Sequence, residues 1–170
     1  MPQVIVKSTM DQFYFALNHA ARVRPIIGTS CTPAEDISLQ VAKEFHRRNP
    51  SVNARRGVPD FQEARRKHAA LLDNFYSKVC HVRLAKEGNT AVGGFVVLDG
   101  ELLGLHNVHH GKGDWMLREA VGLGANRLDC FDVPHLIEMY ERHGFREILR
   151  EPNTTKGQPD VVWMRLYEGT

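Results

Sequence analysis

The stretch Leu136-Ile137-Glu138-Met139-Tyr140-Glu141-Arg142-His143-Gly144-Phe145 holds a helix, its end and the start of a strand. Pro134, just upstream, suits a first helical turn, where its missing N–H has no partner to lose. Ile137 and Tyr140 are three residues apart and turn to one face. Gly144 supplies the left-handed residue that ends the helix, which runs to about Arg142, and Phe145 opens an apolar strand to Leu149.

Outward from this unit, Arg127 to Phe131 reads as the preceding strand and Val161 to Tyr167 as the last one, with a polar, Pro- and Gly-rich loop at Glu151 to Asp160 between the final two. Further upstream, Val79 to Lys86, Ala91 to Leu98 and Leu102 to Val108 are apolar runs parted by Glu87-Gly88-Asn89 and Asp99-Gly100. Asp-Gly between two such runs predicts a tight hairpin, so three consecutive antiparallel strands are expected. Gly111-Lys112-Gly113 follows the third strand. Trp115, Leu117, Ala120 and Val121 then predict a helix that stops near Gly122 to Gly124.

The first half is helical behind one strand, Val4-Ile5-Val6. Thr9-Met10-Asp11-Gln12 has the spacing of a capping box, with Phe13, Leu17, Ala20 and Ala21 on the inner face and Pro25 bounding the helix. Thr32-Pro33-Ala34-Glu35 predicts a second box with Pro33 as first helical residue, and Ile37, Val41 and Phe45 line its core side. Asn49-Pro50 closes that helix, and Ser51 to Gly57 reads as an exposed connection. Pro59-Asp60 opens a third helix with Phe61, Ala64, Leu71, Leu72 and Phe75 inward. Meandering strands first and helical crossovers later predict an α/β domain around one mixed sheet, spanning residues 1–170 with a helical region at about 9–76 and a sheet-rich core at about 79–167.

Composition sets limits. The 170 residues suffice for one core without disulfides, and 42% apolar with 25% charged residues is a globular balance. A net charge of +2 is too small by itself to attract nucleic acid. Cys31, Cys80 and Cys130 are odd in number and widely spaced, so reduced, buried thiols are expected rather than a disulfide or zinc framework. No long apolar run appears, so neither a secretory signal nor a membrane span is expected, and a cytoplasmic setting is the default. Oligomeric state is not legible.

The 136–145 stretch resembles the Tyr-x-x-x-Gly-Phe ending of the last helix in the GNAT (GCN5-related N-acetyltransferase) superfamily. Leu102 to Gly113 is similar to the family's central strand running into a Gly-x-Gly turn. The two matches cover roughly residues 79–167, and the Gly-Gln-Pro-Asp-Val-Val-Trp-Met ending looks like acetyltransferase-like proteins of bacterial viruses. The resemblance implies the GNAT fold, a central mixed β-sheet flanked by helices, and acetyl-CoA as cofactor. It implies that Leu105, His106, Asn107, Val108, His110, Gly111, Lys112 and Gly113 bind acetyl-CoA, with the pyrophosphate on the glycine turn, where helix N–H groups and the helix dipole suit an anion. Two departures fall here: His110 replaces the usual Gln or Arg, and Trp115 stands where the family has Gly or Ala. Asp114 adds a carboxylate beside the phosphate position and can instead serve as a helix cap.

Amide formation from a thioester needs a base for the amine and an acid for the thiolate. The resemblance puts Tyr140 at the acid position; its other reading is a core aromatic with a bonded hydroxyl. His106, whose ordinary pKa is near neutrality, is the first candidate base and Glu101 the second, although His106 also reads as a satisfied buried histidine. Strand alternation predicts that His106 and Val108 share a face and Asn107 takes the other. His106, His109 and His110 lack a carboxylate or thiolate to complete a ligand set, so no metal is expected. Arg47, Arg48, Arg55, Arg56, Arg65, Arg66 and Lys67 crowd one helical region, which reads either as a solvated surface or as a contact for a macromolecular partner, protein or nucleic acid. Two functions follow: an acetyl-CoA-dependent N-acyltransferase acting on a primary amine, or an inactive relative that binds a macromolecule through the Arg47–Lys67 region.

Overall fold

The computed structural model describes residues 2–23, 33–53 and 61–168. The elements run β1 (Gln3–Lys7), α1 (Met10–Val23), α2 (Ala34–Arg48), α3 (Phe61–Lys78), β2 (Cys80–Glu87), β3 (Thr90–Leu98), β4 (Glu101–Asn107), α4 (Gly113–Gly122), β5 (Arg127–Phe131), α5 (Pro134–Arg142), β6 (Phe145–Glu151) and β7 (Val161–Leu166). One seven-stranded sheet carries them in the order β1-β2-β3-β4-β5-β7-β6. All neighbours are antiparallel except β4 and β5. The mixed sheet expected from the element order is therefore present.

Local chemistry explains the boundaries. The Gln12 amide N–H donates to Thr9 Oγ1 at 3.2 Å and the Thr9 N–H to Gln12 Oε1 at 3.4 Å, the reciprocal capping that starts α1. Asp99 and Gly100 both take positive φ, 46° and 84°, as a two-residue hairpin turn requires. Gly144, at φ 89°, ends α5. Pro33 departs from expectation: it stands one residue before α2, at the cap, without a side-chain capping bond. Thr32, Pro25, Pro59, Asp60 and Cys31 lie outside the described residues, as do the side chains of Phe61 and Ala64.

Two apolar layers hold the sheet. Phe13, Ile37, Val41, Phe45 and Phe75 from α1–α3 pack with Val82, Leu84, Val96 and Leu103 on one face. Met116, Leu117, Leu136, Met139 and Tyr140 from α4 and α5 pack with Phe95, Leu105, Leu128 and Val162 on the other. Two helix faces are narrower than the periodicity predicts: Ala21 is exposed, and Leu72 is 39% exposed beside buried Phe75. Cys80 and Cys130 are free buried thiols, pushed up to about 12 by burial. Among the described residues no helix is long and apolar enough to cross a membrane.

One irregularity matters for the site. Gly94 pairs with His106 but Val96 with Leu103, so β4 carries one extra residue opposite Phe95. Gly104 sits in this bulge at φ 63°, and a Cβ there would come within 2.7 Å of Phe13 Cζ and 2.9 Å of Ile37 Cδ1. Gly104→Ala therefore combines backbone strain with overpacking, and we expect a loss of about 2–4 kcal/mol. A lowered urea midpoint at unchanged slope would show it; an unchanged midpoint would mean that the bulge relaxes freely.

Candidate active site

The site begins where β4 and β5 part. Their only register pair is Glu101↔Arg127, at the start of both strands. Past it, among the described residues, β4 keeps β3 on one side and has no strand on the other, while β5 turns its far edge to β7. The opening faces the loop that leads into α4.

His106 stands along this open stretch of β4. It is 2% exposed. Nδ1 is 2.7 Å from the Gly104 carbonyl oxygen, and because a carbonyl only accepts, Nδ1 carries the proton. Nε2 is left as a lone pair, and that buried atom has no hydrogen-bond partner among the described residues. A buried polar atom without a hydrogen bond costs about 1–3 kcal/mol, which singles Nε2 out as a position where a donor would be favoured. Burial holds the imidazole below its ordinary pKa, outweighing the opposing Gly104 bond, and the ring is neutral. Phe13 meets it edge-on, with centroids 5.8 Å apart.

Tyr140 lies across the sheet. It is fully buried with the α4–α5 cluster and meets Phe145 edge-to-face, 6.0 Å between centroids. The candidate acid and base thus pack on opposite faces of the sheet. Glu101 is not brought to His106. Five residues of extended chain separate them by roughly 16 Å, and Glu101 lies at the closed end of the opening. Burial raises its pKa while Arg127 opposes the shift.

The loop after β4 is held by a polar ring. Asn107 Nδ2 donates to Gln3 Oε1 at 2.8 Å, Gln3 Nε2 to Glu87 Oε1 at 3.0 Å, and the His109 N–H to Asn107 Oδ1 at 2.9 Å. His109 Nε2 closes the ring on Glu87 Oε1 at 3.2 Å. Gln3 and Glu87 meet Asn107 and His109 only because the sheet order β1-β2-β3-β4 brings these strand ends together, a contact no local sequence signal announces. The same ring corrects the alternation argument: the strand ends at Asn107, so Val108 packs with the α4–α5 layer, whereas His106 faces Phe13 of the other.

The glycine turn differs from expectation in detail. The Val108 N–H is used by the Val92 carbonyl at 2.8 Å. The unused donors fall later, on Gly113, Asp114 and Trp115, the first three residues of α4, which have no acceptor among the described residues. Gly111 takes φ 80°, and Gly113 packs closely under Met139, whose Sδ would stand 2.6 Å from an added Cβ and would have to shift. Lys112 is the helix cap; His110 and Lys112 are solvent-exposed, and Leu105 is buried in the α4–α5 layer. Asp114 does not cap α4. Its carboxylate accepts from His143 Nε2 at 2.8 Å and from Arg142 at 3.1 Å. These two groups hold its pKa below the usual aspartate range. Trp115 packs, half-buried, against the α4–α5 layer.

The basic region is only partly described. Arg47 and Arg48 both pair with Glu44, and Arg48 also reaches Asp99 at 3.4 Å. Arg66 and Lys67 are exposed on α3; Arg55, Arg56 and the Arg65 side chain lie outside the described residues. Among the described residues no cluster of His, Cys, Asp or Glu could hold a metal. A cleft of about 480 Å3 between α1 and the β2–β3 hairpin contains none of the expected site residues.

No family model matches the sequence, and no curated protein is similar to it. Solved structures are similar in fold. An acetyltransferase of the GNAT family from Streptococcus pneumoniae superposes with a TM-score of 0.56 at 13% identity, over 96% of this chain and 97% of that one. The ribosomal-protein-S18-alanine N-acetyltransferase of Escherichia coli gives 0.56 at 14%, over 97% and 93%. A chain of the NatC complex bound to Gag peptide and CoA gives 0.55 at 13%, over 99% and 100%.

Two titrations follow. His106 has its folded pKa below its unfolded value, so the unfolded chain takes up a proton that the folded one refuses. Stability is complete above about pH 6.5 and falls as pH drops below it. Imidazole NMR should show a neutral Nδ1–H ring at pH 6.5; a protonated ring there would contradict the assignment. For Asp114, a carboxyl titration should give a midpoint below 3.8 that rises in His143→Ala, its contribution being present above the unfolded pKa and lost as pH falls through the folded one. No rise would mean that the His143 contact is not made in solution.

Proposed function

Since the chain has the GNAT fold, we propose that it is an acetyl-CoA-dependent N-acyltransferase acting on a primary amine. The observation that carries this reading is the parting of β4 and β5 beside a buried, neutral His106 whose Nε2 has no hydrogen-bond partner among the described residues. A strand pair held at one rung leaves β4 backbone groups open to an amide-bearing ligand lying alongside, as the pantetheine arm of the cofactor would. The residues present fit it. The Gly113, Asp114 and Trp115 N–H groups with the α4 dipole suit a pyrophosphate, and Asp114 is drawn off it by Arg142 and His143. Acetyl-CoA supplies the activated acyl group as a thioester.

His106 receives a proton at Nε2 from the acceptor amine, while the Gly104 carbonyl keeps Nδ1 protonated and stabilises the imidazolium that forms. Water exclusion strengthens both contacts. Tyr140, on the α4–α5 side, is the proton source for the leaving thiolate. Glu101 is too far along the strand to share the work. Free buried thiols suit a reducing compartment such as the cytoplasm.

Calorimetric titration with acetyl-CoA should show binding at or below about 1 mM, weakened in Gly111→Val. With an amine library, His106→Gln should lower turnover about 10²–10⁴-fold and leave the acetyl-CoA Kd within about twofold. Absence of binding at millimolar cofactor, or full turnover in His106→Gln, would overturn the proposal.

A further inference from the structure

Among the described residues the far edge of the sheet is β6, which pairs only with β7. Arg146 to Glu151 are all exposed, with Ile148 and Leu149 at 49% and 50%. An open edge with apolar residues invites another strand, because half of its backbone N–H and C=O groups lack a sheet partner.

The sequence of this edge is its own complement. Laid antiparallel against itself about a centre between Ile148 and Leu149, Arg-Glu-Ile-Leu-Arg-Glu sets Arg146 opposite Glu151, Glu147 opposite Arg150, and Ile148 opposite Leu149. In a regular strand this register fails, since residues five apart point to opposite faces. Here β6 is not regular. Glu147 pairs with Met164 and Leu149 with Trp163, so one extra residue interrupts the alternation. Arg146 and Glu151 lie opposite Arg165 and Val161, which share a face of β7, and Glu147 and Arg150 lie opposite Met164 and Val162, which share the other. The bulge places each charged residue on the same face as its complement.

We propose that two copies of this chain associate through β6, antiparallel about a two-fold axis, joining their sheets into one. Four opposite-charge pairs flank a central apolar patch, and the contact closes on itself as an isologous interface does. Arg150 already pairs with Glu147 and with Asp132 in its own chain, so the second copy extends an existing ion pair.

Sedimentation velocity of the full chain over about 1 µM to 1 mM covers the range of weak to moderate self-association. Wild type should dimerise with rising concentration. Arg146→Glu and Glu151→Arg each set like charges opposite one another twice, and each should weaken the dimer about tenfold or more. The two variants mixed have complementary charges at both ends and should associate again, as should the double variant Arg146→Glu/Glu151→Arg. Both positions are exposed, and circular dichroism checks that the fold persists. A monomer at the highest concentration, a dimer indifferent to either reversal, or no recovery on mixing would each overturn the proposal.

Discussion

The structure turns on β4 being held firmly on one side and hardly at all on the other. β3 grips it along its length, while β5 meets it at a single rung. The open stretch carries His106, whose Nε2 has no hydrogen-bond partner among the described residues. The bulge at Gly104 is what places it. By inserting one residue opposite Phe95, it lets Leu103 face α1–α3, Leu105 face α4–α5, and His106 return to Phe13. Glycine is the only residue that meets both demands at position 104, a positive φ and contact with Phe13 and Ile37.

Around that opening, rigidity is supplied from outside it. The Asn107–Gln3–Glu87–His109 ring ties the loop after β4 to strands at the opposite edge of the sheet. On the other flank, Met139 closes over Gly113 and fixes α5 against the start of α4. The amides of Gly113, Asp114 and Trp115 are therefore presented by two anchored elements.

Much of this was legible from local signals. The Thr9–Gln12 box, the Asp99-Gly100 turn and the Gly144 terminator are short-range chemistry, and each appears where the residues predict it. His106 was identifiable as a titratable group on a central strand. Its tautomer was not, because that depends on a carbonyl two residues away that reaches it only across the bulge. The same holds for face assignments: alternation fails wherever an extra residue enters a strand, and nothing in Leu102–Val108 announces the bulge except Gly104. Of the two readings of Asp114, the cap is the one its contacts do not support, for a related reason. Its neighbours in sequence suggest a cap, while its partners, Arg142 and His143, come from a helix that the crossover returns to its side.

That return resolves the charge conflict that the sequence raises. A carboxylate at the second residue of α4 is favoured by the helix dipole yet repels any phosphate drawn to the same amides. Arg142 and His143 come from the opposite kind of terminus, the end of α5, where carbonyl dipoles favour cations. Setting the two ends together lets each dipole keep its preferred charge, and the carboxylate spends its lone pairs on α5 rather than facing the loop. The exposed ion pair adds little stability by itself. Its consequence is directional: negative charge is aimed at α5, and the N–H groups of Gly113 to Trp115 are left without an acceptor among the described residues.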